Sequence, residues 1–162
     1  HRVDRRQRQM CIRDRFYLDH LTAMADTSDE RGSLEQIMKE MAGLANELNI
    51  IIHFISHLTT PDGTPHEEGG RIMVRHFKGS RSIGFWSYYM FGLERDQQAE
   101  DEIERSTTTL RILKDRYTGQ ATGKCLLLGY DHHTGRIITP SMEGAERFHQ
   151  AVEAKESGDA EF

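Results

Sequence analysis

The period of the apolar residues changes along the chain, and each change marks an element. Phe16–Leu18 is a short continuous apolar run that predicts a strand. Thr22–Gly32 is polar and predicts a loop. Ser33-Leu34-Glu35-Gln36 has the capping-box pattern, in which a hydroxyl and an amide side chain satisfy free helix N–H groups. Leu34, Ile37, Met38, Met41, Leu44 and Leu48 then recur at helical spacing, so the pattern predicts an amphipathic helix over 34–48, with Asn49 suited to its C-terminal end. Ile50–Ser56 is β-branched and apolar, as a central strand is. Strand, helix and strand in close succession form a crossover unit, which implies a parallel sheet.

The second half reads differently. Thr59–Arg75 carries Pro61, Pro65, Gly63, Gly69 and Gly70, and predicts a long mobile loop of the kind that is functional or disordered. Phe77–Ile83 contains Lys-Gly-Ser-Arg-Ser and predicts a turn followed by a short helix. Trp86–Leu93 predicts a strand, and Asp96–Ser106 a charged excursion. Thr107–Leu113 and Lys124–Gly129 flank a Gly-containing turn and predict an antiparallel hairpin. Ile137–Ile138 closes a last strand after a turn at Thr134–Gly135. The fold class is therefore α/β, a parallel sheet with a C-terminal antiparallel hairpin.

Composition narrows this picture. At 162 residues, 36% hydrophobic and 29% charged, the chain has the size and character of one globular domain. It has no run of about 18 or more apolar residues, so no membrane-spanning helix is expected. The net charge of −5 conceals an asymmetry. Residues 1–15 hold six Arg against Asp4 and Asp14, and residues 141–162 hold six acids against Arg147 and Lys155. The stretch RRQRQMCIRDR resembles translated sequencing-adapter sequence, which makes residues 1–15 a non-native leader; a basic nucleic-acid arm is the rival reading. Residues 16–140 form the domain, and 141–162 an acidic tail expected to be disordered. Cys11 and Cys125 have neither zinc nor disulfide spacing, which fits a reducing cytosol. His132 and His133 are adjacent and lack a partner at ligand spacing, so no zinc site is expected.

Several polar residues sit where buried strands would deliver them. Asp19 follows three apolar residues; a carboxylate at a strand tip can hold Mg²⁺ through water beside a nucleotide's phosphates. An ordinary Asp capping the next turn has the same signature. His57 ends the second run and precedes the long loop, so it could hydrogen-bond a terminal phosphate and report it to a movable segment; an isolated strand-end His more often only satisfies its own surroundings. His53 lacks that context and reads as structural. Lys114 and Arg116 are two apart and project to one side if the strand continues. Such a pair can stabilise phosphate charge in a neighbouring subunit, or be a solvated pair on an edge strand. Arg71, Arg75, Lys78 and Arg81, with Ser80 and Ser82, suit contact with a phosphate backbone, or form a solvated loop.

The order of these motifs resembles the C-terminal half of a hexameric replicative helicase of the phage primase–helicase type, related to mitochondrial Twinkle and the DnaB family. The resemblance runs from Phe16 to about Ile138. It rests on LDH (18–20), SHL (56–58), HEEG (66–69), KGS (78–80), LERDQQ (93–98), RILKDRYTG (111–119) and GYD (129–131) taken as a series. It implies a partial RecA-like domain in which Asp19 is the Walker B aspartate and His57 couples phosphate state to DNA contact. Arg116, with Lys114 beside it, would be the finger reaching the adjacent subunit's nucleotide. Arg95 and Tyr130 match positions that sandwich the nucleotide base. The loops after Asp19 and His57, and the segment containing Lys78, Gly79, Ser80 and Arg81, match loops lining a channel around single-stranded DNA.

The implied cofactors are Mg²⁺ and ATP or dTTP. The implied partners are single-stranded DNA and identical subunits in a ring of six or seven. The implied setting is 5′ to 3′ translocation during phage DNA replication, in the cytoplasm of the infected bacterium. The family's phosphate-binding loop and catalytic glutamate have no counterpart here, so the piece alone is expected not to hydrolyse nucleotide. Gly84 and Phe85 stand where the phage proteins carry Arg-Gln. In those relatives an acidic tail ending in Phe docks on the replicative DNA polymerase, which gives Phe162 a candidate role beside that of a solubilising end. A non-catalytic single-strand-binding or polymerase-docking module on a RecA-type scaffold is the alternative.

Overall fold

A computed structural model describes residues 14–140 and Glu146. Most of the leader and nearly all of the acidic tail, including Phe162 and the proposed polymerase contact, lie outside the described residues. The chain is α/β and divides into two compact units, 1–59 with 74–87 and 60–73 with 88–162.

In the first unit, β1 (Arg15–Leu18) and β2 (Ile51–Phe54) pair in parallel, with Leu18 opposite Phe54. Arg15 thus belongs to the strand, one residue earlier than the apolar run suggests. Helix α1 (Glu30–Glu47) connects the strands as the crossover expectation required. It begins four residues before the expected start, because the Asp29 carboxylate accepts the Gly32 N–H at 3.0 Å and is the actual N-cap. A carboxylate satisfies free N–H groups and also meets the positive end of the helix dipole. The Ser33 hydroxyl instead accepts the Asp26 N–H. Asn49 takes the left-handed conformation (φ 53°), as its place at the helix end suggested.

Helix α2 (Ser80–Trp86) packs on α1. Leu21, Leu34, Met38 and Ile83 are buried and form this unit's core. Trp86 was expected in a strand but ends α2, because the Ser87 N–H still reaches the Ile83 carbonyl at 3.0 Å. Aromatic residues suit strands on average, but burial of Ile83 against α1 decides locally.

The second unit is a four-stranded antiparallel sheet in the order β3 (Tyr89–Glu94), β4 (Thr107–Asp115), β5 (Cys125–Asp131), β6 (Arg136–Ile138). The expected hairpin is its β4–β5 pair, so the antiparallel part is larger and the parallel part smaller than the sequence pattern implied. A short helix, α3 (Glu102–Ser106), lies within the charged excursion, capped by Asp101. A bulge interrupts the β3–β4 pairing: Phe91 faces Ile112 and Met90 faces Lys114, which leaves Leu113 extra. Gly92 allows a close approach there, since a Cβ would stand 3.0 Å from Ile72 Cβ, tighter than an ordinary contact.

The segment 60–73, expected to be a mobile loop, is instead strapped to β3 and the residues after it. Glu68 bridges to Asp96, the Glu67 carbonyl accepts the Gln97 N–H at 2.9 Å, and Ile72 is buried. Pro and Gly set the turns of this strap, while one apolar anchor and one buried carboxylate hold it down.

Candidate nucleotide and nucleic-acid site residues

Parallel pairing brings the C-terminal ends of β1 and β2 side by side. The ladder continues past them, with the Ile55 N–H on the Leu18 carbonyl (3.0 Å) and the Leu21 N–H on the Ile55 carbonyl (2.8 Å). Asp19 follows directly on β1 and is exposed, so its oxygens are available to a hydrated cation. His57 does not end β2 but lies three residues beyond it. Its ring stacks on His20, centroids 4.0 Å apart, and the His20 ring nitrogen Nδ1 pairs with the Thr22 hydroxyl at 2.7 Å. Asp19 and His57 are thus joined through the last residue of the Leu-Asp-His motif, to which no role had been assigned. His53 stacks on its cross-strand neighbour Tyr17, in keeping with a structural role.

The main chain at His57 is also committed. Its carbonyl accepts the Lys78 N–H at 3.0 Å, Leu58 bridges Phe77, and the Thr59 N–H reaches the His76 carbonyl at 2.6 Å. A short ladder therefore ties the segment at His57 to the start of the Lys-Gly-Ser segment. Arg75, Lys78 and Arg81 are exposed around it. Lys78 approaches Glu30 at 3.8 Å in an exposed pair, a contact worth little. Gly79 caps α2 at φ 73°, and a Cβ there would stand 2.8 Å from Leu34 Cδ1. The fold alone demands this glycine. Ser80 opens α2. Ser82 is buried, which removes it as an outward hydroxyl donor. Arg71 is exposed but belongs to the second unit, so the basic stretch is divided between the two.

In the second unit, the bulge places Lys114 opposite Met90. Arg116 continues the pairing one step beyond β4, donating its N–H to the Tyr88 carbonyl at 2.9 Å. Lys114 and Arg116 are therefore brought together as expected. Burial, then the nearby Arg116 charge, draws the Lys114 ammonium below its usual value. Between them Asp115 turns inward and organises residues 116–122. Its carboxylate accepts the Thr118 hydroxyl (2.6 Å) and the N–H groups of Tyr117, Thr118 and Ala121, while its own N–H meets the Thr122 hydroxyl. The Thr118 hydroxyl, followed by these N–H donors, holds the Asp115 carboxyl at about 2 against the pull of burial.

Arg95 and Tyr130 belong to the same unit, at the β3 and β5 positions of the four-stranded sheet. Arg95 lies one residue beyond β3, whose last residue Glu94 pairs with Thr109, and Tyr130 lies in β5 two residues past Leu128, which pairs with Thr108. Arg95 Nε donates to the Arg105 carbonyl at 2.7 Å, and Tyr130 meets His132 edge-on. Asp131, of the Gly-Tyr-Asp run, caps the turn to β6 through the Thr134 hydroxyl and His133 N–H, which lower its pKa.

Over 153 residues, 92% of its length, the chain is 29% identical to the DNA helicase/primase of Enterobacteria phage T3. The chain resembles part of a phage helicase/primase. It spans about a quarter of that helicase/primase, 26% of its length. No protein-family model matches the chain. Within the motifs of the helicase/primase resemblance the structure gives definite partners to residues that had no role assigned: His20, Asp115 and the ion-paired Glu94 and Arg111; outside the motifs it adds Tyr88. Two had a readable signal: Asp115 precedes Thr118 at turn spacing, and His20 adjoins Asp19. Glu94 and Arg111 are far apart in sequence, and only the strand register reveals their pairing.

Proposed function

We propose that this chain is the C-terminal half of the RecA-like motor of a phage replicative helicase. The identity to a phage DNA helicase/primase along nearly the whole chain carries this reading. In the full-length protein, the motor hydrolyses ATP or dTTP with Mg²⁺ and translocates 5′ to 3′ on single-stranded DNA as a ring of identical subunits. Asp19 positions the metal through water, and His57 meets the terminal phosphate. The hydrogen bond from Lys78 N–H to the His57 carbonyl supplies a covalently short path from that phosphate to the cationic segment Arg75, Lys78 and Arg81 at the DNA. Phosphate contacts of this kind hold the strand without reading its sequence. Arg95 and Tyr130 flank the base. Lys114 and Arg116 serve the nucleotide of the next subunit, where a finger supplies charge stabilisation to the transferring phosphoryl group.

The test is the Arg116→Ala variant of the full-length protein. DNA-stimulated hydrolysis is expected to fall by about 10³–10⁵-fold, with nucleotide binding to the variant's own subunits retained. Normal turnover in that variant rejects the finger assignment.

A further inference from the structure

A finger works only if its guanidinium is delivered in one place, since misplacement of a catalytic group by an ångström can cost about 10²-fold. Arg116 is the first residue after a strand and opens a turn, a position that ordinarily leaves a long side chain with wide rotamer freedom. Three features of the second unit restrict it. The Arg116 N–H is bonded to the Tyr88 carbonyl. The Arg116 guanidinium carbon lies 5.5 Å from the centre of the Tyr88 ring, within cation–π range. The turn that follows is organised by the inward Asp115 carboxylate, so the backbone on the C-terminal side of Arg116 is fixed as well.

Tyr88 itself is 52% exposed, so the ring is not held there by core packing. Its backbone carbonyl is committed to Arg116. An aromatic face offers the guanidinium an attractive surface that a carboxylate could also offer. Unlike a carboxylate, however, it does not neutralise the charge that the transition state requires.

We propose that Tyr88 is a positioning residue, an aromatic rest that, with the Asp115 turn, holds the Arg116 guanidinium in place for the neighbouring subunit's nucleotide. This rests on the reading of Arg116 as a finger. The test compares Tyr88→Leu, Tyr88→Phe and Arg116→Ala in the full-length protein, with arginine side-chain NMR of the 162-residue chain as a second readout. Tyr88→Leu is expected to lower kcat about two- to fivefold, equivalent to about 0.5–1 kcal/mol, with KM for nucleotide unchanged. Tyr88→Phe keeps the ring face and is expected to restore kcat. In the isolated chain, the ring-current shift of the Arg116 side chain is expected to vanish in Tyr88→Leu and persist in Tyr88→Phe.

Outcomes separate the two claims. If Arg116→Ala turns over normally, the finger reading fails. If Arg116→Ala is inactive while Tyr88→Leu matches the parent, the positioning claim is overturned. Equal loss in Tyr88→Phe and Tyr88→Leu overturns it too, because the ring face is then not what matters.

Discussion

The most consequential buried interaction is the ion pair between Glu94 and Arg111. Arg111 Nε and Nη2 donate to the two Glu94 oxygens at 2.7 and 2.9 Å, and Glu94 Oε1 also accepts the Ile72 N–H at 2.9 Å. The side chains are only 7% and 17% exposed. Removing one partner of such a pair strands a buried charge, at a cost of about 3–5 kcal/mol; the residual exposure of Arg111 places Glu94→Gln near 3. Gln keeps an acceptor for Ile72, whereas Glu94→Ala strands that N–H as well, adding about 1–3 kcal/mol. Against a whole-domain stability of about 5–15 kcal/mol, either change is large. Urea unfolding followed by far-UV circular dichroism should show the midpoint falling by about 1–3 M in Glu94→Gln, from m of about 1–3 kcal/mol/M. It should fall further in Glu94→Ala. Amide exchange at Ile72 should quicken in Glu94→Ala beyond its rate in Glu94→Gln, because only the first loses the acceptor. If both variants unfold within about 0.5 kcal/mol of the parent, the pair contributes no net stability and the strap is held by Ile72 and its backbone contacts with residues 96 and 97.

The remaining expectations are narrower. The folded Asp115 carboxyl titrates at about 2, below an unfolded value near 3.9. Its stabilising contribution is therefore fully present above the unfolded value and is lost as pH falls from about 4 through 2; Asp115→Asn should flatten that limb of an acid titration followed by circular dichroism. Gly79→Ala should lower the thermal midpoint, since the left-handed conformation alone costs about 1–2 kcal/mol for a residue with a Cβ, before Leu34 is displaced. The Arg116→Ala and Tyr88→Leu outcomes given above complete the set.

How much the sequence disclosed varied with how local the deciding interaction was. Helix α1 and the β4–β5 pair were legible from their periods, with Leu34 and Met38 of the α1 stripe buried and Leu44 and Leu48 exposed. Strand β2 was legible as a strand but, at Ile51–Phe54, is shorter than the run 50–56 and pairs only with β1 among the described residues rather than lying centrally. The start of α1 was not legible, because Asp29 and Ser33 both suit a cap, and only the backbone geometry selects between them. The strap at 60–73 read as loose because Pro and Gly dominate it; its anchors, Ile72 and the distant Glu94, carry no local signal. That Asp19 and His57 follow neighbouring parallel strands was legible from the crossover pattern, but that His57 lies three residues beyond the end of β2 was not. The stacking of His20 on His57 and the rest of Arg116 on Tyr88 depended on register and turn geometry, which periodicity does not encode.

The β3–β4 bulge bears on how this segment can change length. Losing one residue from a paired strand ordinarily moves every side chain beyond it to the opposite face. At Leu113 the arithmetic is reversed, because Leu113 is already the unmatched residue between the Ile112 and Lys114 pairings. A chain without it could close the ladder and still present Lys114 beside Met90 and Arg116 beside Tyr88. The spacing between the Arg111 anchor and Arg116 is therefore elastic by one residue at this point alone among the paired positions of β4 with β3. Related sequences whose cationic motif is one residue shorter can deliver the same side chain from the same face.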